Sequence, residues 1–103
     1  SECDALGLRA MMDDANPIFI LDVRERHEFE AGHLVGSIHI GKGVLERDIE
    51  KHEIAEDSRL VLYCGGGFRS AIAAKSLQEM GYSDVYSLWG GWRGIQSEGL
   101  PIE

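Results

Sequence analysis

Three short runs, IFILDV (18–23), RLVLYC (59–64) and DVYSL (84–88), are close to continuously apolar. A strand with one wet face alternates polar and apolar residues. A run without clear alternation belongs to a strand buried on both faces, as in parallel sheets covered by helices. The segments between the runs supply such helices. Residues 4–15 carry Leu8, Met11, Met12 and Ala15 at helical spacing and close at Asn16-Pro17. Residues 25–32 read as a short helix ended by Gly32, and 44–54 as a helix with Val44, Leu45, Ile49 and His52 on one face. Residues 70–80 carry the stripe Ala73, Ala74, Leu77 and Met80, with Gly81 as C-cap, and 92–97 form a short last helix. SIHI (37–40) is a further short strand. Strands alternating with helices predict an α/β fold: a central, mostly parallel sheet flanked by helices on both faces. No linker, repeat or low-complexity tract interrupts residues 1–103, so one domain is expected.

The formal net charge of −8 argues against nucleic acid or an anionic membrane as partner. No apolar stretch is long enough to span a bilayer, and no secretory signal is visible, so a cytoplasmic location is expected. The two cysteines, Cys3 and Cys64, give no disulfide framework. His27, His33, His39 and His52 lack the cysteine pairs or spacing of a zinc site, and neither a metal nor a cofactor is expected. Cys3 reads as an incidental, partly buried thiol.

In parallel α/β sheets, sites form beyond the C-terminal strand ends. DVRE, CGGGFRS and WGGW all fall there. The second is the most informative: Cys64 ends a strand, Gly65, Gly66 and Gly67 follow, then Phe68, Arg69 and Ser70 lead into a helix. Glycines expose backbone N–H groups and permit a tight curl that nests an anion. The helix N-terminus adds about half a positive charge, and the Arg69 guanidinium a full one. All three favour a thiolate, and such surroundings lower a cysteine pKa from about 8.5 to roughly 3.5–7.5. Cys64 is therefore a candidate nucleophile. A plain buried cysteine before a tight turn is the simpler alternative, but it requires neither this cysteine nor this arginine. The loop lacks the GK[ST] of a phosphate-binding P-loop and the third glycine of a dinucleotide-binding turn.

The loop Cys64-Gly65-Gly66-Gly67-Phe68-Arg69-Ser70 resembles the active-site loop of the rhodanese sulfurtransferases, C-x-x-G-x-R-S. LDVRERHEFEAGHLVGSIHI is similar to that family's first signature through Asp22, Val23, Arg24, Glu28, Phe29, Gly32, His33, Gly36 and Ile40. LWGGW resembles its closing signature through Gly90, Gly91 and Trp92. The family's usual short leading strand has only SEC as a poor counterpart.

The resemblance implies a sulfurtransferase. Cys64 would take the outer sulfur of a donor such as thiosulfate as a persulfide, then pass it to cyanide, a thiol or a sulfur-accepting protein. The amides of residues 65–69 would hold the terminal sulfur anion, and Ser70 would donate a hydrogen bond or cap the helix. A persulfide relay or a protein-binding module is the alternative. Protein phosphatases of related architecture place five residues between cysteine and arginine. Here four residues separate Cys64 from Arg69, a cradle suited to one sulfur atom. Arg69 is the loop's one cationic side chain, which disfavours a dianionic donor. Among supporting residues, Asp22 and Arg24 would orient the loop or simply form an ion pair. Glu28, Phe29 and His33 would fix the first motif's helix and turn. Trp89 and Trp92 would serve as core or pocket wall.

Overall fold

A computed structural model describes residues 1–103. Five strands form one sheet in the order β1-β5-β4-β2-β3, and every pairing is parallel. The three apolar runs are its centre: β2 (Ile18–Asp22), β4 (Arg59–Tyr63) and β5 (Asp84–Leu88). The strand β3 (Ile38–His39) forms one edge and β1 (Glu2–Cys3) the other. β1 corrects the reading of SEC as a poor leading strand. An edge strand of two residues needs only backbone partners, and Ser1 and Cys3 supply carbonyls to Ser87 N at 3.0 Å and Trp89 N at 2.6 Å.

Alternation along the central strands divides the core. Leu21, Leu60, Leu62 and Val85 face one side, where they meet Ala73, Ala74 and Leu77 of α4 (Phe68–Glu79) and Leu45 of α3 (Leu45–Asp48). Ile20, Val61, Tyr63 and Leu88 face the other, against Ala5 and Leu8 of α1 (Ala5–Asp13) and Ile95 of α5 (Gly91–Ser97). The alanines of α4 let it lie close to the sheet, as their small size predicts. The remaining helix, α2 (Arg26–Ala31), buries no residue completely.

Two helices depart from expectation. The helix predicted over 44–54 is broken into a 3₁₀ turn (Lys42–Val44), α3 and a second 3₁₀ turn (Ile49–His52). Its apolar face is short: Leu45 and Ile49 are buried, whereas Val44 and His52 are exposed. Glu53 then takes a left-handed conformation, φ 54°, which ends the winding and sends Ile54 into the core. The other departure is α4, which starts at Phe68 rather than Ser70. Its N-cap is Gly67, with no side-chain capping bond. No helix is long and apolar enough to cross a membrane.

Candidate active site

Register brings the site together. Asp22 lies beside Tyr63, and Leu62 beside Ser87, so the chain leaves β2, β4 and β5 at one edge of the sheet. Cys64 follows β4 directly and is 1% exposed. Gly67, at φ 107°, turns the loop into α4 where a Cβ would come within 3.5 Å of the Leu88 carbonyl oxygen. Glycine is needed there for its conformation, since a Cβ at that distance would make an ordinary contact. The loop's other side rests on the turn after β5. A Cβ on Gly91 would overlap the Cys64 carbonyl oxygen and lie 2.8 Å from that of Gly65. The Trp92 amide donates to the Cys64 carbonyl at 2.7 Å.

This folding aims donors at the sulfur. Gly67 N lies 3.1 Å from Cys64 Sγ and Ser70 N 3.4 Å, and the thiol itself donates to Ser70 Oγ at 3.6 Å. Burial pushes the Cys64 thiol up, but the Ser70 amide and hydroxyl and the amides of Gly67 and Arg69 outweigh it. The pKa is held below the ordinary thiol value. Cys3 behaves oppositely: burial and the Asp4 charge push it up to about 11.

The Arg69 guanidinium points elsewhere than the sequence suggests. Its Nη1 and Nη2 donate to Glu28 Oε1 and Oε2 at 2.9 and 3.2 Å. The Arg69 hydrogen bond holds the Glu28 carboxyl down at about 2, so the pair stays ionised. The depressed cysteine thus owes its state to backbone and hydroxyl donors, and Arg69 contributes chiefly its amide. Glu28 also accepts from Glu25 N at 2.9 Å, capping α2 as expected of it. Its reach to the loop is the part that motif reading missed, although acids at the mouth of β2 were natural partners for Arg69.

Ser70 is the third residue of α4, not its cap. Its hydroxyl also lies 3.1 Å from the Gly67 carbonyl oxygen and 2.8 Å from Ser87 Oγ. Ser87 went unnoticed in the sequence. Its parity with Val85 was the available signal, since it puts this one hydroxyl of β5 beneath α4.

Among the other predicted residues, Gly65 and Gly66 shape the loop without bonding Sγ, which is met by Gly67 and Ser70. Phe68 is 79% exposed, and its side chain leaves the cradle. Trp89 is 68% exposed, neither core nor wall of the sulfur site. The tight Gly90-Gly91 turn takes Trp92 inward instead, where its ring lies 4.6 Å from the Arg24 guanidinium carbon. Asp22 and Arg24 form the expected ion pair, fully buried, at 2.7 Å. Arg24 also donates to the Gly32 carbonyl at 2.6 Å, tying β2 to the end of α2. Phe29 and His33 stack at 3.7 Å within the turn they were expected to fix. No cluster of His, Cys, Asp and Glu has a metal-binding arrangement.

Residues 4–98 match the rhodanese-like domain family. The chain belongs to that family. The chain is 31% identical over 106 residues to a protein of Erwinia tasmaniensis named tRNA uridine(34) hydroxylase, covering 95% of this chain and 30% of that protein. It spans less than two thirds of the length of such curated relatives. The crystal structure of the Alr3790 protein of Anabaena sp. superposes with a TM-score of 0.89 at 26% identity, over 98% of this chain and 79% of that one. A Rhodopseudomonas palustris protein of unknown function, described as a possible tyrosine phosphatase, has a TM-score of 0.85 at 31% identity, over 100% and 84% of the two chains. The fold of this chain, a five-stranded parallel sheet between helices, is shared with these two solved structures.

Proposed function

We propose that this domain is a sulfurtransferase working through a Cys64 persulfide. The observation that carries the reading is the convergence of the Gly67 and Ser70 amides and the Ser70 hydroxyl on one buried sulfur. In the first step the Cys64 thiolate attacks the outer sulfur of a sulfane donor. With thiosulfate, the donor's S–S bond breaks, sulfite leaves with the bonding pair, and Cys64–S–S⁻ remains. In the second step a nucleophile, cyanide or a thiolate, attacks the outer sulfur. The Cys64 S–S bond breaks and the thiolate returns. The Gly67 and Ser70 amides stabilise sulfur anions from fixed positions, as an oxyanion hole stabilises oxygen.

The ring of four residues between Cys64 and Arg69 supports sulfur over phosphorus as the transferred atom. The Arg69 fork reinforces this, because Glu28 already engages it as a phosphate would. A second reading is favoured by the chain's 30% coverage of the hydroxylase-named relative: a persulfide relay serving a neighbouring part of a longer protein, with protein cysteine as acceptor.

Intact mass decides the matter. Thiosulfate should add about 32 Da to Cys64, and cyanide should remove it, the signature of a covalent sulfur intermediate. Cys64→Ser should fold, gain no mass and transfer no sulfur, while Cys3→Ser should behave as wild type. Turnover by pure Cys64→Ser, or Cys64-dependent hydrolysis of an aryl phosphate by the wild type, would overturn the proposal.

A further inference from the structure

Ser70 and Ser87 form a buried hydroxyl pair behind the nucleophile, 0% and 3% exposed. Their oxygens are 2.8 Å apart, and this is the only side-chain hydrogen bond Ser87 makes. Ser70 has more neighbours: the Gly67 carbonyl oxygen at 3.1 Å and Cys64 Sγ at 3.6 Å. A serine hydroxyl carries one proton and two lone pairs. The directions of these bonds follow from counting.

With Cys64 as a thiol, Sγ–H donates to Ser70 Oγ, and the Ser70 proton goes to the Gly67 carbonyl. With Cys64 as a thiolate, Sγ has no proton to give, and the Ser70 proton turns toward it. Ser87 donates to Ser70 in both states, because no other acceptor bonds its hydroxyl. A hydroxyl that accepts a hydrogen bond is a stronger donor, by roughly 10–30% in such chains. Donation from Ser87 also keeps the Ser70 proton from being spent on Ser87.

We propose that Ser87 is a positioning residue for the Cys64 nucleophile: its fixed hydroxyl donates to Ser70 and so commits the single Ser70 proton to the sulfur anion. Ionisation of Cys64 releases its proton to solvent, reverses the Cys64–Ser70 bond and withdraws the Ser70 proton from the Gly67 carbonyl, leaving Ser87–Ser70 unchanged. The inference deepens the sulfur-transfer reading, in which the same proton would meet Sγ whenever the persulfide bond breaks. Of the charged groups around the loop, Arg69 pairs with Glu28 and Asp22 with Arg24, whereas Glu25 and Arg93 make no ion pair; wild type and variants share them all, so they supply a constant background.

The test is iodoacetamide alkylation of Cys64 against pH, which needs no sulfur donor and so stands apart from the function assigned above. Peptide mass identifies the modified site. In Ser87→Ala the inflection should rise by roughly half a pH unit, a fraction of one hydrogen bond. In Ser70→Ala it should rise by about one unit. The double variant should match Ser70→Ala, because Ser87 acts only through Ser70. Ser87→Cys keeps the volume and weakens the donor, and carries the same direction of shift should the alanine protein not fold. An unchanged inflection in Ser87→Ala, with only a lowered Tm, would make Ser87 a filler beneath α4 and overturn the proposal. Full additivity in the double variant would overturn it as well. If these shifts appear but thiosulfate adds no mass, the positioning role stands and the sulfur-transfer reading falls.

Discussion

The Arg69 guanidinium lies on both Glu28 oxygens, so the loop's one cationic side chain is compensated before any substrate arrives. Glu28 sits about 2 in the folded protein, below its ordinary value, because Arg69 favours its charged form. The pair therefore stabilises the fold fully above the ordinary carboxylate range and loses that contribution as pH falls through about 2. Glu28→Gln should cost about 1 kcal/mol at neutral pH, a modest figure because both side chains remain partly exposed. Melting curves of the two proteins should draw together toward pH 2. The same change frees the Arg69 fork for an anion, and the thiosulfate KM of Glu28→Gln should fall several-fold. A KM that rises instead would mean that Glu28 serves only to hold the loop in place. None of this was visible in the motif, where Arg69 and Glu28 stand 41 positions apart. A side chain's charge can be read from sequence, but which partner claims it depends on how two strand ends are juxtaposed.

At the scale of elements, the parallel sheet and its three C-terminal segments were legible because uninterrupted apolar runs admit few other folds. The start of α4 was not. Ser70 is the residue type that ordinarily caps a helix, and its position suggested that role. The helix instead begins from left-handed Gly67, and the hydroxyl is turned inward to the sulfur. Local propensity points to a cap, whereas the site needs a donor, and the site prevails. Gly91 shows how closely the elements are fitted. At φ 51° it leaves no room for a Cβ against the carbonyls of Cys64 and Gly65. Gly91→Ala should therefore displace the loop, destabilise the protein by about 1–3 kcal/mol, and lose most sulfur transfer. Gly66→Ala is the control, since its Cβ would meet nothing within 4 Å. Equal activity in both variants would show that the turn after β5 does not hold the cradle.

Across the whole molecule, the buried Asp22–Arg24 pair joins β2, the end of α2 and Trp92 of α5. Arg24→Leu leaves the Asp22 carboxylate buried without its partner, at a cost of about 3–5 kcal/mol. Denaturant melts should show it, and Asp22→Asn combined with Arg24→Leu should recover part of the loss. A double variant no more stable than Arg24→Leu alone would place the cost in lost packing on Trp92. The pair itself could be anticipated from Asp-Val-Arg at a strand end, but its reach to Trp92 required the three-dimensional fold. That reach passes close to the nucleophile, whose surroundings are gathered from distant parts of the chain. The hydroxyl of Ser87 and the turn at Gly91 both lie well downstream of Cys64. During synthesis the cysteine therefore emerges long before the groups that complete its setting. It begins as an ordinary thiol, gains its amide donors when the loop closes and α4 winds, and reaches its full setting when β5 docks beside β4. The order in which the chain is made thus leaves the setting of the sulfur incomplete until this domain has folded around it.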